Sequence, residues 1–483
     1  TTLDAERAAP KRETEIFAES GRFYRLPTET DLEAVRRAAE ELERRKAAHV
    51  GVLSLVPDEP TPDNTSHRAV GSAWIYGMRE WGDVFSSRQN LLLSSLIQQN
   101  KHVKSDDIEL SRAIRSVLAC AIDREAEHSS SLCRWNASGQ KIQATFGRQA
   151  IPMVWDFAEA NPFGDSVGSW DTMIEIVLIP FETVSAIANS GTAQRASATK
   201  SVLPYDSVQA FITDPPYYDA VPYAELSDFF YVWLKRSLGD VDLDLWNKNL
   251  TPKNEQATVN HPNSGSQKAE FEHKMGLAMT EGRKVLYPFG IGIVVFAHKT
   301  TLGWESQISA MIEAGWTITG SWPIDTEMGT RMNAMGTASL ASSIHLVCRP
   351  RETSDGELIT ATGDWREVLR ELPGRIHAWL PRLAQEGVVG ADAIFACLGP
   401  ALEIFSRYSR VEKASGETVS LREYLEHVWA AVSREALTMI FQGADATGFE
   451  EDARLTAMWL WTLSAATEDG GPETGDGGLG TGA

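Results

Sequence analysis

The stretch Phe211-Ile212-Thr213-Asp214-Pro215-Pro216-Tyr217-Tyr218-Asp219 decides how this chain is read. An apolar run stops abruptly at an acid, two prolines and two tyrosines. Ser207 to Thr213, with Val208, Phe211 and Ile212, predicts a short strand suited to a sheet covered on both faces. Pro215 has no N–H to offer a ladder, so the strand has to end at Asp214. In an open α/β sheet ligands sit outside the carboxyl ends of the strands, so Asp214 is expected to point into a crevice.

These residue types suit methylation of an exocyclic amino group. The lone pair of such a nitrogen is conjugated into its ring, so a site has to engage both N–H groups to turn the lone pair outward. Asp214 supplies one acceptor, and a rigid Pro-Pro turn can aim the Pro215 carbonyl at the second hydrogen. Tyr217 offers a flat face on which a flipped base stacks. The carboxylate also stabilises the cationic amine formed on attack. Tyr218 and Tyr223 stand next in line to border the base.

Asp214-Pro215-Pro216-Tyr217 resembles the catalytic motif of S-adenosyl-L-methionine-dependent amino-methyltransferases that act on adenine N6 or cytosine N4 in DNA. The longer context DPPYYDAVPYAELSDFFYVWLKRSLG is similar to large bacterial adenine-specific DNA methylases, often associated with phage defence, that carry an uncharacterised domain near their N terminus. The similarity extends over most of residues 20 to 465. It implies a partial Rossmann-like α/β methyltransferase sheet with helical flanking regions, S-adenosyl-L-methionine as cofactor and DNA as partner. It further implies a place among restriction-modification or other defence-system proteins. In that family the Gly-rich cofactor loop lies well upstream of the catalytic strand, and no such loop is found here. The chain therefore resembles the C-terminal part of a longer enzyme, with cofactor contacts made by an upstream segment or a separate cofactor-binding chain. A non-catalytic DNA- or partner-binding remnant, or an RNA or protein methyltransferase, fits the same residues.

The chain has 483 residues, enough for a large core and more than one domain. Cys120, Cys133, Cys348 and Cys397 show no Cys-x-x-Cys spacing, which indicates neither a zinc ribbon nor a disulfide framework. No apolar run is long enough to span a bilayer and no signal pattern opens the chain, so a cytoplasmic protein without membrane contact is expected. The balance of 66 acidic against 45 basic side chains gives a net charge of −21. Phosphate binding would then need a local basic cleft and would fall steeply with salt.

The expected organisation is a charged helix and linker over 1–64 and a mainly helical region over 65–200. The catalytic half of the methyltransferase domain follows over 201–350, then a helical region over 351–466 and a disordered tail over 467–483. Thr1 in place of methionine suggests a processed or truncated start. Thr30 with Glu33 predicts a capping box for the first helix. Trp81 to Gln89 reads as a helix N-terminal cap leading into a core helix. Asn161-Pro162-Phe163-Gly164 superficially resembles a cofactor loop, but its glycines and weak preceding strand favour a plain turn.

After the Asp-Pro-Pro-Tyr turn the pattern predicts an aromatic helix around Phe229 and Trp233, whose stripe is mostly core. A polar loop from Asp240 to Gln267 comes next, where Lys248, Lys253 and His261 either meet a substrate strand or edge a solvated flap. A helix ending at Pro288-Phe289-Gly290 follows, then a central parallel strand over Gly292 to His298 with His298 and Lys299 at its carboxyl edge. Another helix and two strands complete this part. Ile324 to Ala341 joins those two strands, and Arg331 within it is a candidate DNA contact.

Overall fold

A computed structural model of the chain describes residues 25–63, 69–164, 166–184, 191–218, 221–259, 265–296, 301–325, 342–386, 388 and 390–440. The chain is mixed α/β and divides into two compact units, one formed by residues 1–191 and 222–256, the other by 192–221 and 257–483. Among the described residues no helix is long and apolar enough to cross a membrane.

The first unit is mainly helical, with α1 (Glu29–Ala48), α2 (Ser87–His102), α3 (Ile108–His128), a small hairpin of β1 (Arg134–Asn136) and β2 (Lys141–Gln143), α4 (Trp170–Val184) and α5 (Tyr223–Leu238). The cap of α1 is Thr28 with Asp31, two residues before the expected Thr30 and Glu33. Arg25 explains the shift, because its guanidinium holds the Asp31 carboxylate while the Thr28 N–H donates to the same group at 2.7 Å. Within the segment expected to cap α2, the capping residue is Ser86, which exchanges bonds with Gln89 in both directions.

Phe229, Val232 and Trp233 on α5 are fully buried, with Trp81, Phe85 and Phe146 arranged around Phe229 at centroid distances of 5.1 to 6.0 Å. The next turn of α5 carries charge into the same interior. Lys235 and Arg236 both pair with buried Glu59, at 2.5 and 2.9 Å, pinning the 54–59 segment to the helix. Lys253 in the polar loop is tied to Asp228 of α5, and burial pushes the Asp228 carboxyl up against that cation.

The second unit is built on a four-stranded sheet in the order β3 (Val208–Thr213), β4 (Leu286–Phe296), β6 (Ser342–Pro350), β5 (Trp316–Asp325). β3 and β4 are parallel, and β6 is antiparallel to both β4 and β5. The carboxyl ends of β3, β4 and β5 therefore share one edge. Between the strands run α6 (Gly265–Val285) and α7 (Thr301–Glu313). The short strands β7 (Thr362–Asp364) and β8 (Arg410–Glu412) pair beside α8 (Trp365–Gln385), α9 (Gly390–Ala396), α10 (Leu398–Ser406) and α11 (Leu421–Ile440). Val368, Leu372, Ile376 and Leu380 on α8 are buried, as their spacing predicts.

Two strand expectations change. The helix ends at Val285 and β4 starts at Leu286, so Pro288 lies inside a strand. The pairing with β3 is irregular between Val208 and Ala210, opposite this point, and such a break in the ladder absorbs a residue without an N–H. β3 is not covered on both faces either, because Ile212 is 68% exposed, and among the described residues it lies at the edge of its sheet. Phe211, on the other face, stacks against Trp316 at 5.9 Å. It also lies over Gly282 of α6, where a Cβ would come within 2.5 Å of the ring. At the far side of the sheet α10 closes the β5 edge, with the Ile318 N–H donating to Ser406 Oγ and the Gly399 N–H to Ser321 Oγ.

Candidate active site

β3 ends at Thr213, paired with Val294, and the next residue is Asp214 at the shared carboxyl edge. Pro215 is buried and Pro216 half-buried, so the turn is anchored through its prolines while the acid stays outside. Asp214 is exposed and makes no hydrogen bond or ion pair among the described residues. The Pro215 carbonyl likewise accepts nothing there, whereas the Pro216 carbonyl is taken by the Tyr218 N–H at 3.1 Å. A carboxylate and a carbonyl one residue apart are thus both left for a ligand.

Tyr217 is half-buried and meets Phe296, the last residue of β4, edge to face at 5.6 Å. Phe296 rests on Trp304 of α7 at 5.0 Å, and Trp304 on Phe395 of α9 at 5.5 Å. This file of rings backs the tyrosine with fully packed core. A ring held in that way is preorganised to stack a planar group at little entropic cost.

The ring of Tyr218, expected to border the base, is buried. Its backbone is left-handed at φ 54°, a conformation that costs a residue with a Cβ about 1–2 kcal/mol. The ring turns inward, 2% exposed, and packs edge to face on Phe271 of α6 at 5.2 Å. Its carbonyl accepts from the Val259 N–H and from Thr258 Oγ1, each at 3.0 Å. Tyr223 is the first residue of α5 and belongs to the first unit, 40% exposed. Arg331, His298, Lys299, His261 and Asp219 lie outside the described residues.

Sequence reasoning missed Phe296 and Thr258. Phe296 was visible only as the end of an apolar strand, and nothing local marked Thr258. Asn161 to Gly164 forms a turn in the first unit, with Asn161 Oδ1 accepting from the Phe163 N–H and the Asn161 carbonyl from the Gly164 N–H, both at 3.1 Å. No strand leads into it, so it is no strand-turn-helix cradle. The four cysteines are free thiols, and among the described residues no group of His, Cys, Asp or Glu is placed to hold a metal ion. Compared with family models, curated proteins and solved structures, the chain matches none of them.

Proposed function

We propose that this chain carries the amino-group site of an S-adenosyl-L-methionine-dependent DNA methyltransferase, with adenine N6 as the methylated atom. The observation that carries this reading is the exposed, unpaired Asp214 at the carboxyl end of β3, one residue from an unengaged carbonyl and beside a braced Tyr217. Two adjacent acceptors match the two hydrogens of an exocyclic amine, and the ring matches the base that bears it. Asp214 would accept from the amino group, hold its lone pair toward the methyl donor and stabilise the positive charge that develops on nitrogen. The succession strand, aromatic helix, polar loop, helix, strand, helix, two strands supports the finer reading of a partial Rossmann-like methyltransferase sheet.

S-adenosyl-L-methionine does not fit the described residues alone. No strand pairs with the outer edge of β3 among them, and no glycine turn stands at a strand's carboxyl end. The reading therefore requires the cofactor's contacts from elsewhere, and the open β3 edge is where strands of such a segment or chain would add. The same feature favours a second reading, a DNA- or partner-binding element without catalysis. Membership of a phage-defence or restriction-modification system rests on the resemblance only.

The test is expression of the natural gene product, with its neighbouring reading frames, in a host lacking DNA methylation, followed by mass spectrometry of the digested DNA. N6-methyladenine above the host background is expected. N4-methylcytosine instead would move the target base. Neither base, together with DNA retention by the purified chain, would put the second reading in place of the first.

A further inference from the structure

The turn that follows the candidate site is bent against its backbone preference and tied down from a distant segment. A left-handed residue with a Cβ persists where its surroundings over-determine it, and at Tyr218 the surroundings are residues 258–259. The Val259 N–H donates to the Tyr218 carbonyl at 3.0 Å. Thr258 Oγ1 lies 3.0 Å from that carbonyl and 3.3 Å from the carbonyl of Val221. A hydroxyl has one hydrogen, so the carbonyls of Tyr218 and Val221 share it and are both drawn to one atom. Val259 is buried and Ala257 packs against the same core, so the backbone from which the hydroxyl projects is itself anchored.

We infer that Thr258 is a positioning residue for Asp214. It latches the turn through Tyr218 and Val221, and so fixes the direction in which the preceding Asp-Pro-Pro presents its carboxylate. The consequence for catalysis rests on the amino-group reading, while the latch is a property of the fold. It gives the end of the polar loop a role in shaping the site without touching substrate.

Thr258→Val keeps the shape and removes the hydroxyl, and Thr258→Ser restores it. Hydrogen exchange of the full chain, read by mass spectrometry over residues 214–222, should quicken about fivefold in Thr258→Val, the scale of one hydrogen bond, and return toward wild type in Thr258→Ser. The melting midpoint should fall by no more than about 2–4 °C, the shift that a loss of this size gives in a unit of this length. In the methyl-transferring assembly Thr258→Val should lower kcat several-fold without raising the KM for cofactor. Wild-type exchange in Thr258→Val, or Thr258→Ser no better than Thr258→Val, would overturn the latch. Faster exchange with an unchanged kcat would overturn the positioning role. A loosened turn in a protein that methylates nothing would uphold the latch and sink the methyltransferase reading instead.

Discussion

Asp214→Asn separates the chemistry of the site from its architecture. The side chain is exposed and has no partner among the described residues, so the substitution should change stability by no more than about 0.5 kcal/mol. The shape and one acceptor oxygen remain, and only the charge is lost. A unit charge about 4 Å from a developing ammonium is worth about 1 kcal/mol in bulk water and about 4 kcal/mol at the effective dielectric of a protein surface closed by a bound base. In rate these correspond to about sixfold and about a thousandfold. Among the described residues no cation neutralises Asp214, and a stacked base excludes water, so the loss should lie toward the upper figure, at about a hundredfold or more. That range agrees with the removal of a single preorganised group in other enzymes. Single-turnover transfer of a tritiated methyl group to duplex DNA, in the complete assembly with saturating cofactor, measures it directly. Cofactor affinity should hardly move, because the charge acts on the amine. A variant that methylates at the wild-type rate would refute the assignment, and one that melts far below wild type would refute the claim that Asp214 bears no structural load.

Three further outcomes concern the fold that supports the site. Burial pushes the carboxyl of Glu125 on α3 up to about 7, against the opposing hydrogen bond from Ser129, so the folded chain binds this proton more tightly than the unfolded chain does. Its stabilising contribution is complete below about pH 4, the unfolded value, and about 3 kcal/mol is lost as pH rises through 7. Urea unfolding of Glu125→Gln should lack that loss, and an equal decline in variant and wild type between pH 5 and 8 would remove Glu125 as its source. Glu59→Leu leaves Lys235 and Arg236 buried without their shared anion and should destabilise the first unit by about 3–5 kcal/mol, read from tryptophan fluorescence in urea. Gly282→Ala drives a methyl into the Phe211 ring and should cost about 1–3 kcal/mol in the same measurement on the second unit.

What the sequence made legible was set by local backbone chemistry, and what it hid was set by long-range contacts. The end of β3 was readable because Pro215 cannot donate to a ladder whatever the rest of the chain does. The same rule misled at Pro288, where a break in the β3–β4 pairing removes the need for the donor. The burial of β3 was misjudged because a short apolar run has the same composition whether one face of the strand is covered or both, and only the tertiary packing distinguishes them. Tyr217 and Tyr218 are adjacent and chemically alike, yet one ring backs the site and the other joins the core. The left-handed backbone of Tyr218 makes that difference, and it is held by a hydroxyl and an N–H some forty residues further along. A site of this kind is therefore specified twice. On the amino-group reading Asp214, Pro215 and Pro216 would supply its chemistry within three residues, and Phe296, Thr258 and Val259 would aim it from segments that only the folded chain brings near.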